Sequence, residues 1–238
     1  MMKKKNLIAA AAALFLLGTL FVAAVEADEG PRNTNLNGLT DEEENGILFM
    51  REEEKLARDV YLTFYEMYDS IPIFDNIAQS EQRHMDAVKT LIDRYGLEDP
   101  IAGNGIGEFT DQSLQDLYNT LIAQGSTLTN ALEVGAEIEE IDIIDLKEYM
   151  SQTDKTDILR VYGNLLRGSE NHLRAFVKEL EYNGVIYSPQ HLSQEDFDDI
   201  IDDDNGGNQF SRNWQNRKSG IIERIMSMIQ SRLRECFS

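Results

Sequence analysis

Cysteine is nearly missing from this chain of 238 residues: Cys236 stands alone. No internal disulfide can form, so stability has to come from packing and from any bound metal. No cysteine follows the apolar N-terminal run either, which excludes a lipid-attachment site there. Histidine is scarce: His84, His172 and His191 are the whole supply. Neither a nucleophilic triad nor a phosphate-cradling loop can be assembled, since "GNGIG" follows no strand pattern. Basic residues are outnumbered, 22 Lys and Arg against 43 Asp and Glu, for a formal charge of −21. A field of that sign repels phosphate backbones and gathers cations, so nucleic acid is excluded as a partner. Strand-like alternation is almost absent, which leaves an all-α chain.

What is present begins with Lys3, Lys4 and Lys5, followed by an apolar run over residues 7–25 and the small-residue pattern Val25-Glu26-Ala27. This reads as a signal peptide over residues 1–27. The run is long enough to serve instead as an uncleaved membrane anchor. Both alternatives export the remainder to the cell envelope, the periplasm or the outside. Residues 28–39 form a polar linker, and 40–184 carry the long helical patterns. Residues 185–238 join a solvated acidic loop to a basic amphipathic helix. "DDDNGGN" fails as a calcium loop, because the twelfth position from Asp202 is Asn213 where a Glu is needed. The last segment bears Arg212, Arg217, Lys218, Arg224, Arg232 and Arg234 around an Ile221, Ile222, Ile225, Met228 and Ile229 stripe. It is suited to docking on the acidic body, pairing with a second copy in a homo-oligomer, or lying on a membrane.

Thr40 and Glu43 make a capping-box signature for the first helix, and Ile71-Pro72 ends that segment. The second helix is expected over 75–95 with Gly96 as C-cap, a short one within 111–125, the third over 128–150 and the fourth over 154–182. The unequal connections predict a four-helix bundle with one long crossover.

"SEQRHM" places Glu81 and His84 on one helix face, among Phe74, Ile77, Met85, Val88 and Ile92. A carboxylate inside an apolar stripe is costly unless it is paired or bound to metal. On the first helix, Phe49, Leu56, Ala57, Val60 and Phe64 fall within about 60° of Glu53, while Glu52 points away and Glu54 lies at the edge. On the third, Glu137 and Glu140 share a side with Ile141 and Ile144, and Glu139 and Asp142 are expected in solvent. On the fourth, His172 lies beside Leu165 and Phe176, with Ser169 three residues before it. The inward set is therefore Glu53, Glu81, His84, Glu137, Glu140 and His172. Four carboxylates in a packed interior call for cations to neutralise them. One Glu from each of two helices plus Glu-x-x-His from two others is the di-iron pattern, and here one such motif is reduced to His172. Tyr61 and Tyr162 lie close enough to serve as neighbours.

The stretches "LTDEEENGILFMREEEKLARDVY", "SEQRHMDAVKTLIDRYGL", "GAEIEEIDIIDL" and "GSENHLRAF" resemble the ferritin-like family catalogued as domain of unknown function 2202, over about residues 39–190. The resemblance implies a ferritin-like four-helix bundle with a di-iron centre, as in rubrerythrins and ferritins, which oxidise ferrous iron or reduce peroxide and dioxygen. Glu53, Glu81, His84, Glu137 and Glu140 match that pattern, and Ser169 departs from it. The expectation is an exported protein with a dinuclear iron or manganese site. It is redox-active towards peroxide or dioxygen, or else it is a binding or interaction module that holds metal without turnover.

Overall fold

In the computed structural model, which describes residues 37–69 and 71–202, every regular element is a helix. Six occur among the described residues: α1 Asp41–Met67, α2 Pro72–Tyr95, α3 Gln112–Gln124, α4 Leu128–Ser151, α5 Thr156–Tyr182 and α6 Gln194–Asp202. The expected signal or anchor sequence, most of the expected linker, and the expected basic C-terminal helix fall on residues outside the described ones. Among the described residues no helix is long and apolar enough to cross a membrane.

The helix ends follow local chemistry. Thr40 caps α1 reciprocally with Glu43: the Glu43 amide donates to Thr40 Oγ1 at 3.2 Å, and the Thr40 amide donates to Glu43 Oε2 at 3.0 Å. Pro72 opens α2 rather than closing α1, because a proline at the first helical position forfeits only an amide that has no intrahelical partner. Gly96, at φ +64°, closes α2 in the left-handed conformation.

The long helices pack in two close pairs, α1 with α2 and α4 with α5, and the pairs meet through α1 with α4 and α2 with α5. The repeat that drives this is a heptad. Ile47, Met50, Glu54, Ala57, Tyr61 and Phe64 are all buried on α1, and Phe74, Ile77, Glu81, His84, Val88 and Leu91 on α2. Leu132, Gly135, Glu139, Asp142 and Leu146 continue it on α4, and Tyr162, Leu165, Ser169, His172 and Phe176 on α5. Spacings of three and four keep each row facing its neighbours. At one end of the rows Tyr61, Phe64, Phe74 and Phe176 pack ring against ring, with centroids 5.3–6.1 Å apart.

The connection from α2 to α4 is long, contains α3, and is tied to α1. Lys55, fully buried, donates to Gly105 O at 2.8 Å and pairs with Asp59, and Asp59 accepts from the Gly107 amide at 2.9 Å. Arg51 grips Asp99 through two hydrogen bonds of 3.1 and 3.0 Å.

Beyond α5 the acidic stretch is not a solvated loop throughout. Its residues 194–202 form α6, because Phe197 and Ile200, one turn apart, are buried against the body.

Candidate metal centre

The four long helices each bring their polar residues to the same layer of the heptad. α1 supplies Glu54, α2 Glu81 and His84, α4 Glu139 and Asp142, and α5 Ser169 and His172; each is at most 8 % exposed. Above and below, the rows carry buried apolar side chains, among them Met50 and Ala57 on α1, Ile77 and Val88 on α2, Leu146 on α4, and Leu165 and Phe176 on α5.

Glu81 is the hub. Its Oε2 lies 2.7 Å from His84 Nδ1, and its Oε1 lies 2.7 Å from His172 Nδ1. His84 Nδ1 is also 3.2 Å from Glu54 Oε2, and His172 Nδ1 is 3.4 Å from Glu139 Oε2. Two triads result, Glu54–Glu81–His84 and Glu81–Glu139–His172, each with ligand atoms within 4.8 Å of one another. The two imidazoles stack at 5.4 Å between centroids. Tyr61 donates to Glu139 Oε1 at 2.7 Å and so turns the other oxygen of that carboxylate towards His172. Ser169 donates to Asp142 Oδ2 and to Leu165 O, which holds Asp142 against the cluster.

The donor atoms test well against a metal. Glu54 Oε1, Glu81 Oε1, Asp142 Oδ1 and His172 Nδ1 are buried with no hydrogen-bond partner among the described residues. His172 Nδ1 and Glu81 Oε1 are close without hydrogen-bond alignment. Donors about 2.0–2.2 Å from one cation are separated from each other by roughly 3 Å, so this spacing suits two ligands of one ion. Carboxylate oxygens mixed with imidazole nitrogens form a donor set able to hold a divalent cation.

Without a cation the charges balance through protons. Burial pushes Glu81 up, but His172 and His84 outweigh it and hold that carboxyl well below the usual range. Burial pulls His172 down, yet Glu81 and Glu139 raise it to about 10. Burial, then Asp142 and Glu81, push Glu54 well up. Burial and Glu139 raise Asp142 to about 7 against the opposing Ser169 hydrogen bond.

Of the residues singled out in the sequence, Glu81, His84 and His172 are brought together, and Glu53, Glu137 and Glu140 are not. Glu53 is one residue out of the α1 row; its carboxylate faces Asp145 instead. Glu140 is fully buried on another face of α4, where it accepts from Tyr187 Oη at 2.7 Å and from the amides of Gln190, His191 and Leu192. Glu137 lies 2.9 Å from His191 Nε2. Glu139 and Asp142, expected in solvent, are buried at 2 % and 5 % exposure because the α4 row runs through them. Tyr61 adjoins the cluster. Tyr162 does not; its buried hydroxyl sits near Tyr149 and Glu43.

Fold and site together define an all-α protein with a buried carboxylate–imidazole cluster able to hold metal. The chain belongs to the family described as uncharacterized protein domain DUF2202, whose model matches residues 43–204. It is 48 % identical over 164 residues to the uncharacterized protein MJ0754 of Methanocaldococcus jannaschii, a match spanning 68 % of this chain and 88 % of that protein. It is also similar to the crystal structure of hypothetical protein MJ0754 from Methanococcus jannaschii, with a TM-score of 0.67 at 45 % identity over 74 % of this chain and 97 % of that one.

Proposed function

We propose that this is a ferritin-like four-helix bundle protein, exported by its N-terminal sequence, that holds a dinuclear iron or manganese centre and reacts with dioxygen or peroxide. One observation carries the reading: Glu81 presents one oxygen to each of two imidazoles, inside two overlapping triads of buried ligand atoms. Glu54, Glu81 and His84 would hold one cation, and Glu81, Glu139 and His172 a second.

When bound, a pair of redox-active ions supplies the electrons for reducing a small oxidant. The protein's own groups do the rest. Apolar rows on both sides keep the layer dry, which strengthens every charge interaction within it. Tyr61 and Ser169 fix the orientations of Glu139 and Asp142, as hydrogen-bonded neighbours of ligands do in metal sites.

The experiment is metal analysis of the purified full chain, followed by Fe(II) oxidation with dioxygen and with peroxide. Two ions per chain and turnover are expected, with both lost in Glu81→Ala. Metal retained by Glu81→Ala sinks the assignment. Two tightly held ions without turnover favour a storage or binding module, which the large acidic excess also suits.

A further inference from the structure

Three buried acidic oxygens lie outside the two triads and lack a partner among the described residues: Glu53 Oε2, Asp145 Oδ2 and Asp142 Oδ1. Asp142 and Asp145 are 5 % and 7 % exposed. The carboxyl groups of Glu53 and Asp145 face one another, and neither brings a donor when ionised. Asp142 is near both, and it also faces Glu54 and Glu139 of the inner cluster.

Asp142 and Asp145 belong to a row. On α4, acids recur every third position: Glu139, Asp142, Asp145 and Glu148. Three residues fall short of a full turn by about 60°, so such a row winds around the helix rather than following its buried face. Exposure rises along it from 2 % at Glu139 through 5 % and 7 % to half-buried Glu148. Packing alone explains neither the row nor its unpaired oxygens, since a buried lone carboxylate opposes folding. A hydrated divalent cation answers both, because it accepts one or two carboxylates and completes its shell with water.

We infer that Glu53 and Asp145, with Asp142, form a cation transfer station through which divalent metal passes from the Glu148 surface to the Glu81 centre. The inference rests on the reading of that centre as a metal site. Its chemistry is weaker by design: carboxylates without imidazole capture a hard or borderline cation and release it inward to the mixed ligand set.

The test mixes metal-free full chain with cobalt(II) in a stopped-flow instrument. Visible absorption follows loading, and cobalt content is measured at equilibrium. The double variant Glu53→Gln/Asp145→Asn is expected to load more slowly by about tenfold or more, as loss of a charged approach slows ion capture. Its final cobalt content is expected to equal that of the unaltered chain. Glu53→Gln alone serves if the double variant does not fold. An unchanged loading rate overturns the transfer station and leaves the centre standing. A lower cobalt content at equilibrium also overturns it, by making the pair part of the main site. An unaltered chain that takes up no cobalt overturns both readings together.

Discussion

Gly168 shows how little room the cluster leaves. A Cβ at that position would stand 2.3 Å from His84 Nε2 and 2.5 Å from His84 Cε1. The α5 backbone therefore lies flat against the imidazole edge and turns its Nδ1 towards Glu81 and Glu54. A ring cannot swing aside as a flexible chain end does. Gly168→Ala is expected to displace His84, at a cost of about 1–3 kcal/mol in stability for overpacking. It should leave the Glu81–Glu139–His172 side able to bind. Metal titration with thermal denaturation checks this: one tight ion per chain and a lowered melting temperature are expected. Two ions at undiminished affinity would show that His84 is not held by this contact. Ser169 works on the same scale. By donating to Asp142 its hydroxyl fixes a buried carboxylate that arrives from the neighbouring helix.

At the scale of elements, α4 carries two acidic faces with different tasks. One presents Glu139 and Asp142 to the cluster; the other presents Glu140 to the segment that follows α5. Glu140 is held by the Tyr187 hydroxyl at 2.7 Å and by amides at 3.0 Å from Gln190, 2.7 Å from His191 and 2.8 Å from Leu192. Such bonds to a charged acceptor contribute about 1.5–3 kcal/mol each in favourable cases. Glu140→Gln is expected to destabilise the chain by about 2–3 kcal/mol and to raise amide exchange over residues 187–202, because α6 follows directly from this clamp. Metal content should stay at the level of the unaltered chain, as should that of Glu137→Gln. Loss of an ion from either variant would return Glu137 or Glu140 to the ligand set. The sequence had both faces in view without separating them. On α2 and α5 the polar pair interrupts a clean heptad, so Glu81, His84 and His172 could be read directly. On α1 the row 47, 50, 54, 57, 61, 64 passes through Glu54. A wheel centred on Glu53 counts Phe49 in its apolar face, although Phe49 is only half-buried against Tyr149. On α4 the row crosses Gly135, which has no side chain to mark it, and acids stand on several faces. The amides that bury Glu140 come from fifty residues away in sequence, and no local pattern announces them.

For the whole molecule, the consequence is a stability that falls with rising pH when metal is removed. Unfolded aspartate titrates near pH 3.9, roughly. In the folded chain burial and Glu139 raise Asp142 to about 7, and burial and Glu148 raise Asp145 to about 8. Between pH 4 and 8, approximately, the folded state keeps protons that the unfolded state has released, so unfolding sheds protons and becomes easier as pH rises. His172, raised to about 10 by Glu81 and Glu139 despite burial, extends the same trend above pH 6.5 or so. Glu81 is shifted the other way; its contribution is present above the usual carboxylate range and is lost only in strong acid. The formal charge of −21 adds self-repulsion with the same sign. A bound cation takes the place of the held protons, so metal binding releases protons and tightens as pH rises. The melting temperature of chelator-treated protein should therefore decline from pH 5 to pH 8, while the gap between metal-loaded and metal-free protein widens over the same interval. Calorimetry of both forms across that range decides it. A metal-free protein that grows more stable towards pH 8, or a gap that stays constant, would mean that the buried carboxyls are neutralised by neither protons nor cations as described.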